Sequence, residues 1–172
     1  MPALAVTAVG ADRPGIVARV ARVLLDHRGN IADSAMTILG GHFAIVLLVE
    51  TEAPPPILEA ALVQATADLG LVVTVRPVGD GTASTAASHV LSVYGADRPG
   101  IVAAVAEVLA EREVNVTHLR TRVLEGASTV YAMLMEVSVP QGTADALFAR
   151  LRGDAALDGV EITLSAVDDE TF

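Results

Sequence analysis

The sequence predicts an α+β protein made of two βαββαβ units. Three observations carry this expectation: a long segment that occurs twice, an order of strand and helix patterns that repeats with it, and a stretch of small residues between the copies. The segment GADRPGIVARVARVLLDHRGNI at 10–31 returns as GADRPGIVAAVAEVLAEREVNV at 95–116, an offset of 95 − 10 = 85 residues. A repeat of this length fixes the building unit at about half the chain, within the range of a small domain.

In the first copy, Leu4 to Val9 is a short β-branched run ending at Gly10, a strand followed by a turn. After Pro14-Gly15, the residues Ile16, Val17, Val20, Val23 and Leu24 recur at helical spacing, so a helix beginning near Pro14 lays an apolar face on a sheet. Gly29-Asn30 ends that helix, and Ile31 to Leu39 reads as a strand. Gly40-Gly41 signals a tight hairpin, because consecutive glycines readily supply the positive φ angles of primed turns. Phe43 to Thr51 is the returning strand. Pro54, Pro55 and Pro56 then precede a second helix whose apolar side holds Ile57, Leu58, Ala61, Leu62, Ala65 and Leu69, and Leu71 to Val75 closes the unit.

The second copy repeats the order: a strand at His89 to Tyr94, a helix at Pro99 to Glu113, strands at Asn115 to Leu124 and Thr129 to Val139, a helix at Thr143 to Arg152 and a strand at Val160 to Val167. One extra residue in its hairpin, EGAS, moves the offset to 86, so that Glu50 matches Glu136. The expected organisation is a first domain at 1–78, a flexible small-residue linker at 79–88, a second domain at 89–168 and an acidic tail at 169–172. This order is the ferredoxin-like plan, a four-stranded antiparallel sheet with two helices on one face. Because strand side chains alternate, Val46 and Leu48 cannot share a face with Ile45 and Leu47, so the outer sheet face is apolar and should meet another sheet.

Composition narrows the function. The chain is 52% hydrophobic with a mean hydropathy of +0.54. No apolar run approaches the roughly 18 residues of a membrane span, so no membrane partner is expected and the apolar excess should be buried between domains or subunits. The N-terminal MPALAVTAVGADRP has no basic flank and reads as a first strand, not a secretory signal. With no cysteine, disulfides and thiolate chemistry are excluded and a cytoplasmic location is expected. All basic residues are arginine, so lysine Schiff-base chemistry is absent. A net charge of −10 opposes direct nucleic-acid binding.

Enzyme motifs are missing as well. His27, His42, His89 and His118 stand apart from any zinc-ligand spacing, and no G-x-S-x-G elbow occurs. An RNA-recognition sheet of the same plan would need stacking aromatics, yet aromatics are 3% of the chain. No catalysis, cofactor or metal is expected.

The repeated turn has two readings. Asp, Pro and Gly serve turns and caps, with Asn30 merely stopping the helix. Alternatively, the helix start offers backbone N–H groups to a carboxylate, Asp12 or Asn30 faces an ammonium, and Ile16 or Ile31 forms an apolar wall, a pattern that fits a free amino acid.

The DRPGIV segment, its helix and the G-N-I return resemble the ACT domain, a small-molecule sensing module of amino-acid metabolism. Two such domains look most like the glycine-cleavage-system transcriptional repressor group and related tandem ACT proteins. The resemblance implies amino-acid binding where the turn after the first strand meets the start of the second strand, often at a domain or subunit interface. It implies ligand contacts at Asp12, Arg13, Pro14, Gly15, Ile16, Asn30 and Ile31, and at Asp97, Arg98, Pro99, Gly100, Ile101, Asn115 and Val116, with His118 beside the second pocket. It further implies a homo-oligomer, a dimer for preference, and action through a regulatory protein partner without direct contact to nucleic acid; a non-binding structural or regulatory subunit of a metabolic enzyme is the alternative. The copies differ: Val114 replaces Gly29, and His118, Arg120 and Arg122 replace Asp33, Ala35 and Thr37, so the two sites should differ in charge.

Overall fold

The computed structural model describes residues 2–79, 86–124 and 129–167. The chain divides into two compact units, Met1–Thr82 and Ala83–Phe172. The expected hairpin tip at 125–128, most of the expected linker and the acidic tail lie outside the described residues.

Unit 1 runs β1 (Ala3–Ala11), α1 (Ile16–Asp26), β2 (Asn30–Leu39), β3 (His42–Glu50), α2 (Pro55–Ala65) and β4 (Val72–Pro77), with a 3-10 turn at Ala67–Leu69 before β4. Unit 2 repeats it as β5 (His89–Ala96), α3 (Ile101–Glu111), β6 (Asn115–Leu124), β7 (Val130–Ser138), α4 (Ala144–Arg152) and β8 (Glu161–Ala166), with a 3-10 turn at Ala155–Leu157. The sheets have the order β2-β3-β1-β4 and β6-β7-β5-β8, and every pairing is antiparallel. This is the ferredoxin-like plan in both units.

Alternation decides what each sheet buries. In unit 1, Leu4, Val6 and Ala8 of β1 join Phe43, Ile45, Leu47 and Val49 of β3 beneath Ile16, Val20, Val23 and Leu24 of α1 and Leu58 and Leu62 of α2. The intervening residues point the other way, and Val46 and Leu48 remain exposed as alternation requires. Two helix-face expectations fail: Val17 and Ile57 are exposed, because the sheet reaches only the narrower stripes through Ile16, Val20 and Val23 and through Leu58 and Leu62. Arg19 of α1 forms an ion pair with Asp68 and donates to the Ala65 carbonyl at 3.2 Å, tying the first helix to the end of the second.

The turns show which backbone constraints the sequence answers. Gly40 (φ 57) and Gly41 (φ 79) form the two-residue hairpin with both φ angles positive, as expected. At the end of α1 the left-handed residue is Arg28 (φ 54), not Gly29, and Glu113 (φ 55) takes the same place in unit 2. The Gly29 and Val114 amides reach back to the Leu24 and Leu109 carbonyls at 2.8 and 3.0 Å, while Arg28 and Glu113 bond to Leu25 and Ala110, the double closure of a Schellman motif. Gly29 is small because an added Cβ would lie 3.0 Å from Val49 Cγ1, whereas Val114 is itself part of the unit 2 core. The difference between the copies at this position is therefore one of packing, not of backbone freedom.

Gly10 and Gly95 of the repeated segment do not end their strands; β1 and β5 continue to Ala11 and Ala96. Their role is close approach. A Cβ on Gly10 would sit 2.6 Å from Leu71 Cδ2 and 3.2 Å from the Gly70 carbonyl, and one on Gly95 would sit 2.7 Å from Val160 Cγ1. Gly10→Ala and Gly95→Ala should each lower the stability of their unit by about 1–3 kcal/mol through forced displacement of that neighbour. Gly79→Ala, with nothing within 4 Å of its added Cβ, should stay within about 0.5 kcal/mol in the same urea titrations.

Beside Gly95, Tyr131 of β7 takes the place that Phe43 holds beside Gly10. Burial pushes its phenol above the ordinary value of 10.0; Thr121 opposes the shift and the Asp97 carboxylate reinforces it. The fold thus favours the neutral phenol, so this contribution is complete below pH 10.0 and is lost as pH rises toward the higher folded value. The chain has no lysine or cysteine and two tyrosines, so little else titrates in that range. The urea midpoint of unit 2 should fall above about pH 10, and Tyr131→Phe should flatten that decline.

Candidate functional site

Each helix start is built from the repeated turn. Gly15 and Gly100 are the N-caps of α1 and α3, both left-handed with φ 92 and φ 100, and no side chain caps either helix. The helices thus begin at Ile16 and Ile101, two residues later than Pro14 and Pro99. The first intrahelical bonds are Arg19 to the Gly15 carbonyl at 3.0 Å and Ala104 to the Gly100 carbonyl at 2.9 Å. The amides of Ile16, Val17 and Ala18, and of Ile101, Val102 and Ala103, precede them and are the donors a helix start leaves over. A Cβ added to Gly15 or Gly100 would meet nothing within 4 Å. Both starts follow exposed turns, lack a side-chain cap and are positively polarised.

Asp12 does not cap its helix as the sequence allowed. Its backbone N–H instead donates to the Gly41 carbonyl at 2.9 Å, fastening the turn to the tip of the β2–β3 hairpin and leaving the residue exposed. Arg13, Pro14 and Gly15 are exposed beside it, as are Asp97, Arg98, Pro99 and Gly100 in unit 2. Arg98 braces the α4–β8 connection, its guanidinium donating to the Ala156 carbonyl at 2.9 Å and to the Asp158 carbonyl at 2.6 Å. Among the described residues Arg13 has no corresponding bond.

Ile16 and Ile101 cannot be the apolar wall of a pocket. Each is 2% exposed, pointing into its own core as the first helical residue over the sheet. Ile31 remains available on the surface, whereas Val116 is half-buried against the core.

The strand starts lie far from the turns. Asn30 pairs with Glu50, which pairs with Ala3, while the turn leaves from Ala11. At about 3.3 Å per residue, the 11 − 3 = 8 steps between Ala3 and Ala11 separate Asn30 from Asp12 by roughly 25 Å. In unit 2, Asn115 pairs with Ser138 near His89, while the turn leaves from Ala96 at the other end of β5. His118 lies near Asn115, on the outer sheet face opposite Glu136. The structure therefore brings Asp12 to Ile16 together and Asn30 with Ile31, but within one unit these two groups do not meet. Predicting this from sequence would have required the strand register.

Outside the repeated motif, an open concavity in unit 2 is lined by Arg152, Leu157, Asp158, Gly159 and Val160, on the connection that Arg98 braces. Nearby, Arg150 holds the Asp154 carboxyl below its ordinary range, helped by the Ala156 amide. Arg150 also pairs with Glu111 at 3.4 Å, so this group serves to join α3 to α4. Among the described residues no helix is long and apolar enough to cross a membrane, and no His, Asp and Glu cluster has the form of a metal site.

The ACT domain profile matches residues 3–76 and again 89–153. A UPF0237 protein of Methanopyrus kandleri is 45% identical over 74 residues, covering 41% of this chain and 82% of that one. One from Lactococcus lactis is 43% identical over 47 residues, covering 27% of this chain and 54% of its own. Among solved structures, an unknown protein from Galdieria sulphuraria is 29% identical with a TM-score of 0.83, covering 97% of this chain and 99% of that one. A protein assigned provisionally as a glycine cleavage system transcriptional repressor is 23% identical with a TM-score of 0.67, covering 98% of each chain, a likeness of fold. With both matched segments spanning complete strand-turn-helix starts of the same construction, the chain belongs to the ACT domain family and carries two ACT domains in tandem.

Proposed function

We propose that this protein is a non-catalytic regulator that binds a small amino acid at its repeated turns and acts through protein contacts. The observation that carries this reading is the pair of helix starts, each with an exposed left-handed glycine cap, no side-chain cap hydrogen bond and nothing within 4 Å of a Cβ built on the cap. The α-carboxylate takes the free amides of the first helical turn, where backbone donors and the helix dipole act together. Asp12 or Asp97 faces the ammonium.

Asn30 and Asn115 enter the site from a second copy of the chain. Their distance from the turn of their own unit, roughly 25 Å by strand rise, keeps a molecule the size of glycine from touching both groups within one unit, which favours a site shared between units. Ligand then favours the assembled state by its differential affinity for it. The apolar outer sheet faces, exposing Val46 and Leu48 in unit 1, suit a homodimer, which is the expected form. Control of glycine metabolism at the level of transcription, through a partner that itself contacts DNA, is the role suggested by the resemblance to the repressor group, and it makes glycine the first ligand to test.

A thermal-shift series over the proteinogenic amino acids should give selective stabilisation, about 2.7 kcal/mol at a hundredfold excess over Kd. It should disappear in Asp12→Ala/Asp97→Ala and in Asn30→Ala/Asn115→Ala. Mixing these two inactive double variants, after exchange of subunits, should restore part of the response, because mixed dimers contain sites with an intact turn from one copy and an intact asparagine from the other. Full response in either double variant, or none in the mixture, would overturn the shared site. Silence across the whole series would favour a scaffold subunit.

A further inference from the structure

We propose that β6 of the second unit is a docking edge for an extended, acidic segment of a partner protein, which adds as a strand beside it. This goes beyond the sensing role, which involves the start of β6 at Asn115, and concerns the run of β6 from His118 to Leu124.

β6 stands at the end of its sheet, so among the described residues one of its hydrogen-bonding edges has no strand partner. From His118 to Leu124 every residue is exposed. The register after the bulge at Val116/His118 puts His118, Arg120 and Arg122 on the outer face, paired with Glu136, Leu134 and Ala132, and puts Leu119, Thr121 and Val123 on the helix-side face. The edge thus alternates cation and neutral residue over a run of strand.

Same-face residues of a strand are about 7 Å apart, and an added strand has the same spacing, so carboxylates at every second position would each face one cation. Arginine is suited to this, presenting a planar fork to carboxylate. Arg120 and Arg122 take part in no salt bridge among the described residues, and the β7 residues directly opposite them, Leu134 and Ala132, are uncharged; Glu136 faces His118 and lies diagonal to Arg120, and Glu161 lies at the far side of the sheet beyond Tyr94. In a chain of net charge −10 this is a local reversal of sign. The fold does not require it. Unit 1 builds the same edge with Asp33, Ala35 and Thr37. A second copy docking β6 on β6 would bring like charges together, so the occupant is an acidic partner.

Charges on an edge strand can also serve to repel unwanted pairing, and the experiment separates the two roles. The probe is a fluorescent peptide of alternating valine and aspartate or glutamate, compared with a peptide of the same composition whose acidic residues are grouped together. Fluorescence anisotropy on the full chain should show the alternating peptide binding about tenfold more tightly than the grouped one, with affinity falling as salt rises. Arg120→Glu/Arg122→Glu should abolish that binding, and a peptide with lysine in place of the acids should restore it on the variant. Equal affinity for the two acidic peptides would reduce the effect to general electrostatics and overturn the proposal. Absence of binding, with self-association of the variant in sedimentation, would show instead that the cations guard the edge. The comparison of the two peptides on the unaltered chain decides the matter even if the variant fails to fold.

Discussion

The structure depends on the way each unit turns from its first strand into its first helix. A strand pressed against its neighbour must leave the sheet, reverse and begin a helix whose first residue is already in the core. Gly10 and Gly95 allow the close approach of the last strand, and Gly15 and Gly100 supply the left-handed step that aims Ile16 and Ile101 inward. A side chain at that cap would bring the usual hydroxyl or carboxylate partner for the helix amides. Glycine brings none. The same residue that makes the fold possible thus leaves the amides unpaired, and the donor set offered to a carboxylate is a consequence of how the chain turns.

Register then separates what the sequence places in one motif. The turn belongs to one end of the sheet and the asparagine at the start of β2 to the other, because α1 runs back the full length of β1 before β2 begins. A unit of this topology cannot close a small pocket from both groups. If both are used, the turn of one unit meets the asparagine of another, and binding is coupled to the association of units without any element having to switch conformation. Such coupling gives a regulator its output: the ligand changes which surfaces are available to other proteins.

Much of this was legible in the residues themselves. The repeated segment, the double-glycine hairpin and the period of the apolar positions fix the element order, since each depends on local backbone chemistry. The sequence misleads where a long-range neighbour decides. Val17 and Ile57 fit a helical apolar pattern but lie beyond the sheet's reach, and Ile16 fits a ligand wall until the core claims it. Gly29-Asn30 reads as the end of the helix, yet the left-handed residue there is Arg28, and the glycine is small because Val49 lies against it. Asn30 reads as a partner of Asp12 because the resemblance groups the two in one site; the pairing with Glu50 shows that it arrives at the opposite end of the sheet.

The two copies divide along the same line. Their turns are held to one construction, down to near-identical φ angles at Gly15 and Gly100, because the strand-to-helix step tolerates little variation. Their edge strands are under no such constraint: residues of β2 and β6 past the bulge are exposed on both faces and bury nothing in the core. Divergence there costs little stability, so Asp33, Ala35 and Thr37 in one copy can stand where His118, Arg120 and Arg122 stand in the other. Arg98 shows the same freedom in the opposite direction, recruited to brace a connection in unit 2 that unit 1 builds with an Arg19–Asp68 pair from a different part of its surface. A duplicated domain keeps what its backbone requires and differs where only solvent or a partner can feel the difference, and for that reason the edges, rather than the turns, distinguish the surfaces of the two units.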